Sequence, residues 1–457
     1  MEIHMPRHVK KIIEILQCHG YEAYIVGGCV RDAILGKEPN DWDITTSAKP
    51  MEVKALFRRT VDTGLQHGTV TVLMKNADSG KSEGYEVTTY RVDGKYEDHR
   101  RPTEVAFTGS LSEDLLRRDF TINAMAYNDK EGLVDLYDGL GDLKRGIIRC
   151  VGVAEHRFDE DALRILRAVR FAAQLDFEIE EDTRQAIRIK KEYLKEISAE
   201  RIQVELTKLL VSAHPEKLLD AYELGITKVV LPEFDEMMEM PQNNPHHCYS
   251  VGKHAIVAVE NIEADMALRW AALLHDVGKP KTHTVDEEGI SHFYDHAAVG
   301  VSMARSVLRR MKLDNDTVKR VLRIVEWHDY GHDYGVNINI KKSTLRKAIY
   351  KMGGMECFPD ILKMRYADTL AQSEYQREEK LRQIRRMEQL YEEIKASADC
   401  LTIKDLKLNG TDLKKLGVEP GKKMGEILKQ LLEDVLENPE HNTVEYLTGL
   451  VENMLAG

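Results

Sequence analysis

Apolar positions recur along this chain with two different periods, and the change from one to the other divides it. Over residues 20–150, short β-rich runs alternate with helical stretches. Tyr24–Val26, Trp42–Thr45, Thr69–Met74 and Glu86–Arg91 are each bounded by glycine or polar turns and predict strands. From about residue 151 strand signals nearly vanish and helical spacing dominates. The N-terminal stretch to Cys18 predicts an amphipathic helix with Ile12, Ile13 and Leu16 inward, not a signal peptide. Breaks fall at Leu231-Pro232 and Pro241–Pro245, a long charged helix is predicted after Tyr375, and Pro420-Gly421 separates two later helical patterns. The expectation is an α+β fold: a mixed head over residues 1–150, then an all-α neck over 151–220, a body over 221–375 and a tail over 376–457.

Composition narrows this only a little. A length of 457 residues suits about three domains. With 42% hydrophobic and 31% charged residues the chain is expected to be globular, and no window approaches the roughly 18 apolar residues of a membrane span. Six cysteines without Cys-x-x-Cys spacing fit free thiols in a reducing cytoplasm. A net charge of −12 argues against a protein that coats nucleic acid indiscriminately. Local basic patches still leave room for gripping one small RNA.

The chemistry gathers in a few short stretches. Residues 27–43 read GGCVRDAILGKEPNDWD. Gly27-Gly28 end a strand and open a helix, where backbone N–H groups and the helix dipole converge on an anion such as phosphate. Arg31, one turn in, offers a fork of donors to the same anion. Asp41 and Asp43, spaced by two in an extended strand, put both carboxylates on one face toward a common hard cation. Glu86 is a candidate third carboxylate. A second block, Arg117 to Ala124 (RRDFTINA), sets Arg118 beside an expected helix start.

A third block, Glu160 to Arg170, predicts one helix with Leu163, Leu166 and Val169 toward a core. Asp161, Arg164, Arg167 and Arg170 recur every three residues and form a polar stripe. Aspartate only accepts at neutral pH and arginine only donates. Cytosine and adenine each present an exocyclic amine beside a ring-nitrogen acceptor, which suits an Asp161–Arg164 pair. Guanine and uracil present the reverse polarity, at about 1–3 kcal/mol for each group left unpaired. Side chains can thus select C and A with no nucleic-acid template.

In the second half, His254, the dyad His275-Asp276, His296 and the pair His328-Asp329 fall on or beside predicted helices. Nitrogen and carboxylate groups on facing helices make a candidate divalent-metal site, with His254, His275, Asp276 and Asp329 as its ligands. His246 and His247 read as loop residues. Lysines 404, 407, 414, 415, 422, 423 and 429 cluster near Gly410, Gly417 and Gly421, a pattern suited to a phosphodiester backbone.

Taken together these blocks resemble the polymerase-β-like nucleotidyltransferases, specifically the bacterial tRNA nucleotidyltransferase and poly(A) polymerase family, with His-Asp helices that resemble the HD metal-dependent phosphohydrolases. The resemblance implies Mg²⁺ held by Asp41 and Asp43, CTP and ATP as substrates, a tRNA 3′ end as acceptor, and neither DNA nor membrane as partner. It implies that Arg118 contacts the incoming nucleotide and that Arg167 and Arg170 line the base pocket. Arg91–Pro102 resembles the loop of relatives able to add the terminal adenosine, Thr63–Val72 the CCA-adding version of its strand, and the lysine-rich tail an RNA grip. It also raises a second divalent metal in the HD-like site. The alternatives are an enzyme adding only the last A, a poly(A) polymerase, or an HD phosphohydrolase whose head merely binds RNA.

Overall fold

A computed structural model describes residues 2–75, 81–94, 105–331, 340–397 and 399–456. The chain forms two compact units, Met1–Pro232 and Glu233–Gly457, which part at the predicted Leu231-Pro232 break.

The first unit is built on a seven-stranded sheet. Its strands are β1 (Ala23–Val26), β2 (Ile44–Thr46), β3 (Thr60–Gly64), β4 (Thr69–Lys75), β5 (Ser82–Thr89), β8 (Met125–Asn128) and β9 (Gly132–Asp135), while β6 (Arg91–Asp93) and β7 (Val105–Phe107) pair separately. The order across the sheet is β3-β4-β5-β2-β1-β8-β9. Only β2 and β5 run parallel, with Ile44 opposite Val87. Both central strands β1 and β2 are buried along their whole length, so alternation is absent there. Helix Arg7–Cys18 lies against β1 and buries Val9, Ile12, Ile13 and Leu16 as its spacing predicts. The Arg91–Pro102 loop falls from residue 95 onward outside the described residues.

Beyond the sheet the first unit is helical, apart from one short parallel pair, Ile147–Ile148 with Glu178–Ile179. In the second unit, helices Val251–Glu260, Met266–Leu274, His296–Arg310, Asn315–Trp327 and Phe358–Ala371 pack on one another. A hairpin of His283–Val285 and Ser291–Phe293 interrupts the expected all-helical run. The charged helix Arg377–Ala396 begins where the sequence places it, and Gly421 precedes helix Lys422–Glu437.

Candidate active site and histidine cluster

The chain turns from β1 into helix Gly28–Ile34 through Gly27, whose φ of +81° is open to glycine at no steric cost. A Cβ at Gly27 would lie 3.1 Å from Arg118 Nη1, and one at Gly28 would lie 3.7 Å from Arg31 Nη2. Two guanidinium groups therefore converge on the bare turn. Arg31 Nη1 donates to Asn123 Oδ1 at 2.7 Å, and its Nε to Asp32 Oδ1 at 2.8 Å. Arg118 Nη2 sits 3.3 Å and Arg117 Nη2 2.7 Å from opposite oxygens of the fully buried Asp114. Burial works to raise the Asp114 carboxyl, but Arg118 and Arg117 outweigh it and hold the group below its usual range. The helix start expected beside Arg118 is only a 3₁₀ turn, and the paired arginines precede it. They follow the C-terminal end of Leu111–Leu116, where cations complement the helix dipole, before a single 3₁₀ turn at Thr121–Asn123.

Asp41 and Asp43 are placed differently in detail too. β2 starts at Ile44, not Trp42, because its ladder to β1 reaches no further than that residue. The two aspartates lie in the segment just before it, anchored by Val26 N donating to the Asp43 carbonyl at 3.0 Å. Both stay open to solvent, though protein crowds Asp43 on its inner side, and they flank a half-buried Trp42. The parallel register of Ile44 with Val87 sets Glu86 abreast of Asp43. All three line a cleft of about 760 Å³ together with Asn40, Thr71 and Tyr85. Burial pushes the Glu86 carboxyl up, and Asp43 and Asp41 push it further. Burial also raises Asp43, against the pull of Arg118 and with a push from Asp41. Acids that disfavour one another's charge in one cleft fit a hard divalent cation, which removes that repulsion.

The third block is not one helix. Helix Ala154–Glu160 ends, Asp161 is extended at φ −143° and ψ 102°, and a new helix runs Leu163–Leu175. Asp161 thus leaves the stripe. Its Oδ1 accepts from Leu163 N at 3.1 Å and its Oδ2 from Arg201 Nη2 at 2.8 Å. Leu163, Leu166 and Val169 are buried as expected. Arg164, Arg167 and Arg170 do share a face, but it is no solvated stripe, since Arg164 and Arg170 are buried. Arg164 donates to Glu160 Oε2 at 2.6 Å and to the Arg117 carbonyl at 2.8 Å. Arg167 donates to Asp119 Oδ2 at 2.8 Å and 2.5 Å, and Arg170 Nε stands 2.5 Å from Glu205 Oε2. Burial acts to raise Asp119, yet Arg167 and Arg164 hold its carboxyl well below the usual range.

Asn123 Nδ2 donates to Asp119 Oδ1 at 3.2 Å, which completes a chain Arg31–Asn123–Asp119–Arg167 between the glycine turn and the arginine helix. Beside it, the guanidinium groups of Arg170, Arg31 and Arg167 lie 3.8, 5.1 and 5.3 Å from the centroid of the Phe171 ring.

In the second unit, all the singled-out histidines of the dyad region meet. His254 and His275 face each other, Nε2 to Nε2, at 3.2 Å, and so do His296 and His328. Asp276 stands between the pairs: Oδ2 is 3.2 Å from His275 and 3.6 Å from His254, Oδ1 3.5 Å from His296 and 3.6 Å from His328. Asp329 Oδ2 joins His296 at 2.9 Å, not the His254–His275 pair. Asp368, which sequence reasoning missed, takes that place at 2.9 Å from His254. Lys279 Nζ approaches Asp276 Oδ2 at 2.7 Å. The cluster opens onto a pocket of about 660 Å³ lined also by His247, His292 and Phe293. His246 and His247 are loop residues as read, but the His247 ring lies 5.1 Å from that of His254. The seven tail lysines are all exposed.

Asp114, Asp119, Asn123, Phe171 and Arg201 were likewise not singled out from sequence. The first three carried a signal, since each sits within or just before the RRDFTIN block.

A head of this construction, with glycine turn, paired arginines and grouped carboxylates, defines a nucleotidyltransferase. Residues 23–149 match the poly(A) polymerase head domain, 176–238 the RNA and SrmB-binding site of polymerase A, and 281–451 the tRNA nucleotidyltransferase domain 2. A CCA-adding enzyme of Lactiplantibacillus plantarum is 58% identical over 206 residues, 45% of this chain and 49% of that protein. One from Ligilactobacillus salivarius is 37% identical over 99% of this chain and 98% of its own. The chain belongs to the family of CCA-adding enzymes. The crystal structure of the Bacillus stearothermophilus CCA-adding enzyme in complex with CTP superposes with a TM-score of 0.70 at 29% identity, covering 99% of this chain and 98% of that one. A Thermotoga maritima CCA-adding enzyme shares the fold at 22% identity and a TM-score of 0.60, over 99% of this chain and 97% of that one. Among the described residues no helix is long and apolar enough to cross a membrane.

Proposed function

We propose that this chain adds C, C and A from CTP and ATP to the 3′ end of tRNA, without a nucleic-acid template and with release of pyrophosphate. One observation carries the reading: kinship to a CCA-adding enzyme along the whole chain, joined to an intact carboxylate cleft with a guanidinium-flanked glycine turn in the same unit. The relative from Bacillus stearothermophilus binds CTP, and that from Thermotoga maritima is complexed with tRNA, which supports the same partners here. Full-length kinship favours CCA addition over an A-only enzyme, a poly(A) polymerase or a head that only binds RNA.

Asp41 and Asp43, with Glu86 abreast, are the groups to hold two Mg²⁺. The ions, when bound, supply activation of the terminal hydroxyl and charge neutralisation on the leaving pyrophosphate. Gly28 leaves room for the backbone to approach a phosphate, and Arg31 and Arg118 anchor the triphosphate or ribose. Asp161 accepts from the exocyclic amine of C or A, and Arg164 donates to the ring nitrogen. Arg167 and Arg170 line the same pocket and are fixed by Asp119 and Glu205. Residues 1–150, 151–220, 221–375 and 376–457 serve as head, neck, body and tail, the tail lysines gripping the RNA backbone. The place of action is the cytoplasm. In the second unit, His254, His275 and Asp276 hold a further divalent ion in an HD-like phosphohydrolase centre, with Asp368 in the place expected for Asp329.

The test is extension of tRNA ending before CCA with CTP, ATP or both, resolved to single nucleotides. Two additions with CTP alone and three with both are expected. Extension by A alone, or a long A tract, would refute the reading.

A further inference from the structure

The buried carboxylate of Asp114 gathers donors from well beyond its own helix. Its Oδ1 accepts from Arg117 Nε at 3.0 Å, from Arg117 Nη2 at 2.7 Å and from the Arg91 backbone N–H at 3.4 Å. Its Oδ2 accepts from the Thr45 hydroxyl at 3.2 Å and from Arg118 Nη2 at 3.3 Å. Thr45 stands on β2, just past Asp43, and Arg91 opens β6. Arg117 and Arg118 follow the helix that carries Asp114 itself. A charged acceptor shut away from water is a strong and directional partner for each of these groups.

Arg118 depends on it most. Its Nε is buried and meets no acceptor among the described residues. Its Nη1 faces the glycine turn, 3.1 Å from where a Cβ on Gly27 would stand. The guanidinium is planar, so the hold of Asp114 on Nη2 sets the direction in which Nη1 points. Thr45 has a second acceptor in the Thr88 carbonyl at 3.3 Å, and Arg117 meets the other carboxylate oxygen twice.

We infer that Asp114 is a positioning residue of the transfer site, which aims Arg118 at the glycine turn and so prepares the seat of the incoming triphosphate. The inference rests on the reading of Arg118 as a nucleotide contact and adds the group that orients it. Being fully buried, Asp114 acts through the arginine and not on the substrate.

The chemistry of the carboxylate supplies a selective probe. Asp114→Asn keeps one oxygen and turns the other into an amide that only donates. Donors from Arg117 and Arg91 crowd the Oδ1 side, so the oxygen stays there and the amide faces Thr45 and Arg118. The Thr45 hydroxyl can accept from that amide while it donates to the Thr88 carbonyl. Arg118 can only donate, so it alone is turned away.

The full chain is assayed for single-nucleotide addition with CTP and with ATP, each variant checked for folding by its melting curve. Asp114→Asn should raise KM for both nucleotides about tenfold with kcat within about threefold, the split expected when binding shared by ground and transition state is lost. Asp114→Ser, which keeps an acceptor oxygen and admits water, takes its place should the asparagine variant not fold. Arg118→Ala should raise KM at least as far, and the double variant no further, since nothing is left to position. Losses that add in the double variant mark Asp114 as merely structural and overturn the inference. An unchanged KM in the Asp114 variant beside a raised one in Arg118→Ala also overturns it and leaves the nucleotide role of Arg118 standing. An unchanged KM in Arg118→Ala overturns that role and the inference with it.

Discussion

Base choice offers the sharpest test of the head, and its size can be worked from the contacts. In the proposed template role, Asp161→Ala removes the acceptor for the exocyclic amine, and it also frees Arg201 Nη2 and Leu163 N. Arg164→Ala removes the donor to the ring nitrogen, and it strips Glu160 and the Arg117 carbonyl of a partner. The base contact in each case is worth about 1–3 kcal/mol of transition-state binding, or about five- to 150-fold in kcat/KM for CTP and ATP together. The structural contacts cost all four nucleotides in proportion. Only the template role changes the ratio between them. Because Arg164→Ala takes away a group that clashes with a ring N–H, the C:U and A:G preferences should shrink by most of that same factor. Arg164→Lys keeps the charge but loses the planar fork, so it should fall between wild type and alanine. Single-nucleotide incorporation with CTP, ATP, UTP and GTP reads all of this. An unchanged C:U ratio in both alanine variants, whatever the overall loss, would mean that these side chains do not read the base.

Four further outcomes follow from the same geometry. Asp41→Ala and Asp43→Ala should each abolish addition of C and of A while tRNA affinity, measured by filter binding, stays near wild type; more than a few per cent of activity in both would refute their assignment. Gly27→Ala combines a φ of +81° with a Cβ 3.1 Å from Arg118 Nη1, so it should cost about 1–2 kcal/mol of stability and raise KM for both nucleotides, read by melting and steady-state kinetics. Asp119→Ala leaves Arg167 without its carboxylate; with that side chain a third exposed, a loss of about 2–4 kcal/mol is expected, a fall of about 4–16 °C in the melting of the first unit. The sign with pH follows from the depressed Asp119 carboxyl: its stabilisation is complete above the unfolded value of about 4 and fades as pH falls below it, so Asp119→Asn should flatten the acid limb of the wild-type melting profile.

What the sequence made legible was local. The glycine turn, the inward face of the first helix and the break at Pro232 each depend on residues within a turn or two of one another. The interruption at Asp161 does not. Its extended backbone is tied to Arg201, on a helix that sequence periodicity treats as unrelated, while Arg164 to Arg170 carry the period onward as if nothing intervened. Arg164 and Arg170 are buried and Arg167 half-buried because Glu160, Glu205 and Asp119 pair with them, so a stripe that reads as surface is mostly an interior one. β8 escaped notice because Met125–Asn128 shows no alternation and, unlike the equally buried β1, carries no β-branched residue. Asp368 lies mid-helix on Phe358–Ala371, with no dyad beside it to mark it, and only the packing of that helix on Val251–Glu260 brings it to His254.

The chain of contacts from Arg31 through Asn123 and Asp119 to Arg167 also bears on how such a head can change over time. Each member satisfies its neighbour's hydrogen-bonding needs inside the protein, so no single replacement is neutral: losing Asp119 orphans an arginine, and losing Asn123 loosens Arg31 from the turn it covers. Drift at one of the four positions is therefore conditional on the others. Lineages descending from a common ancestor should either keep the quartet whole or exchange it as a set, and a chimaera that takes the glycine-turn segment from one parent and the arginine helix from another should inherit a mismatch at that seam.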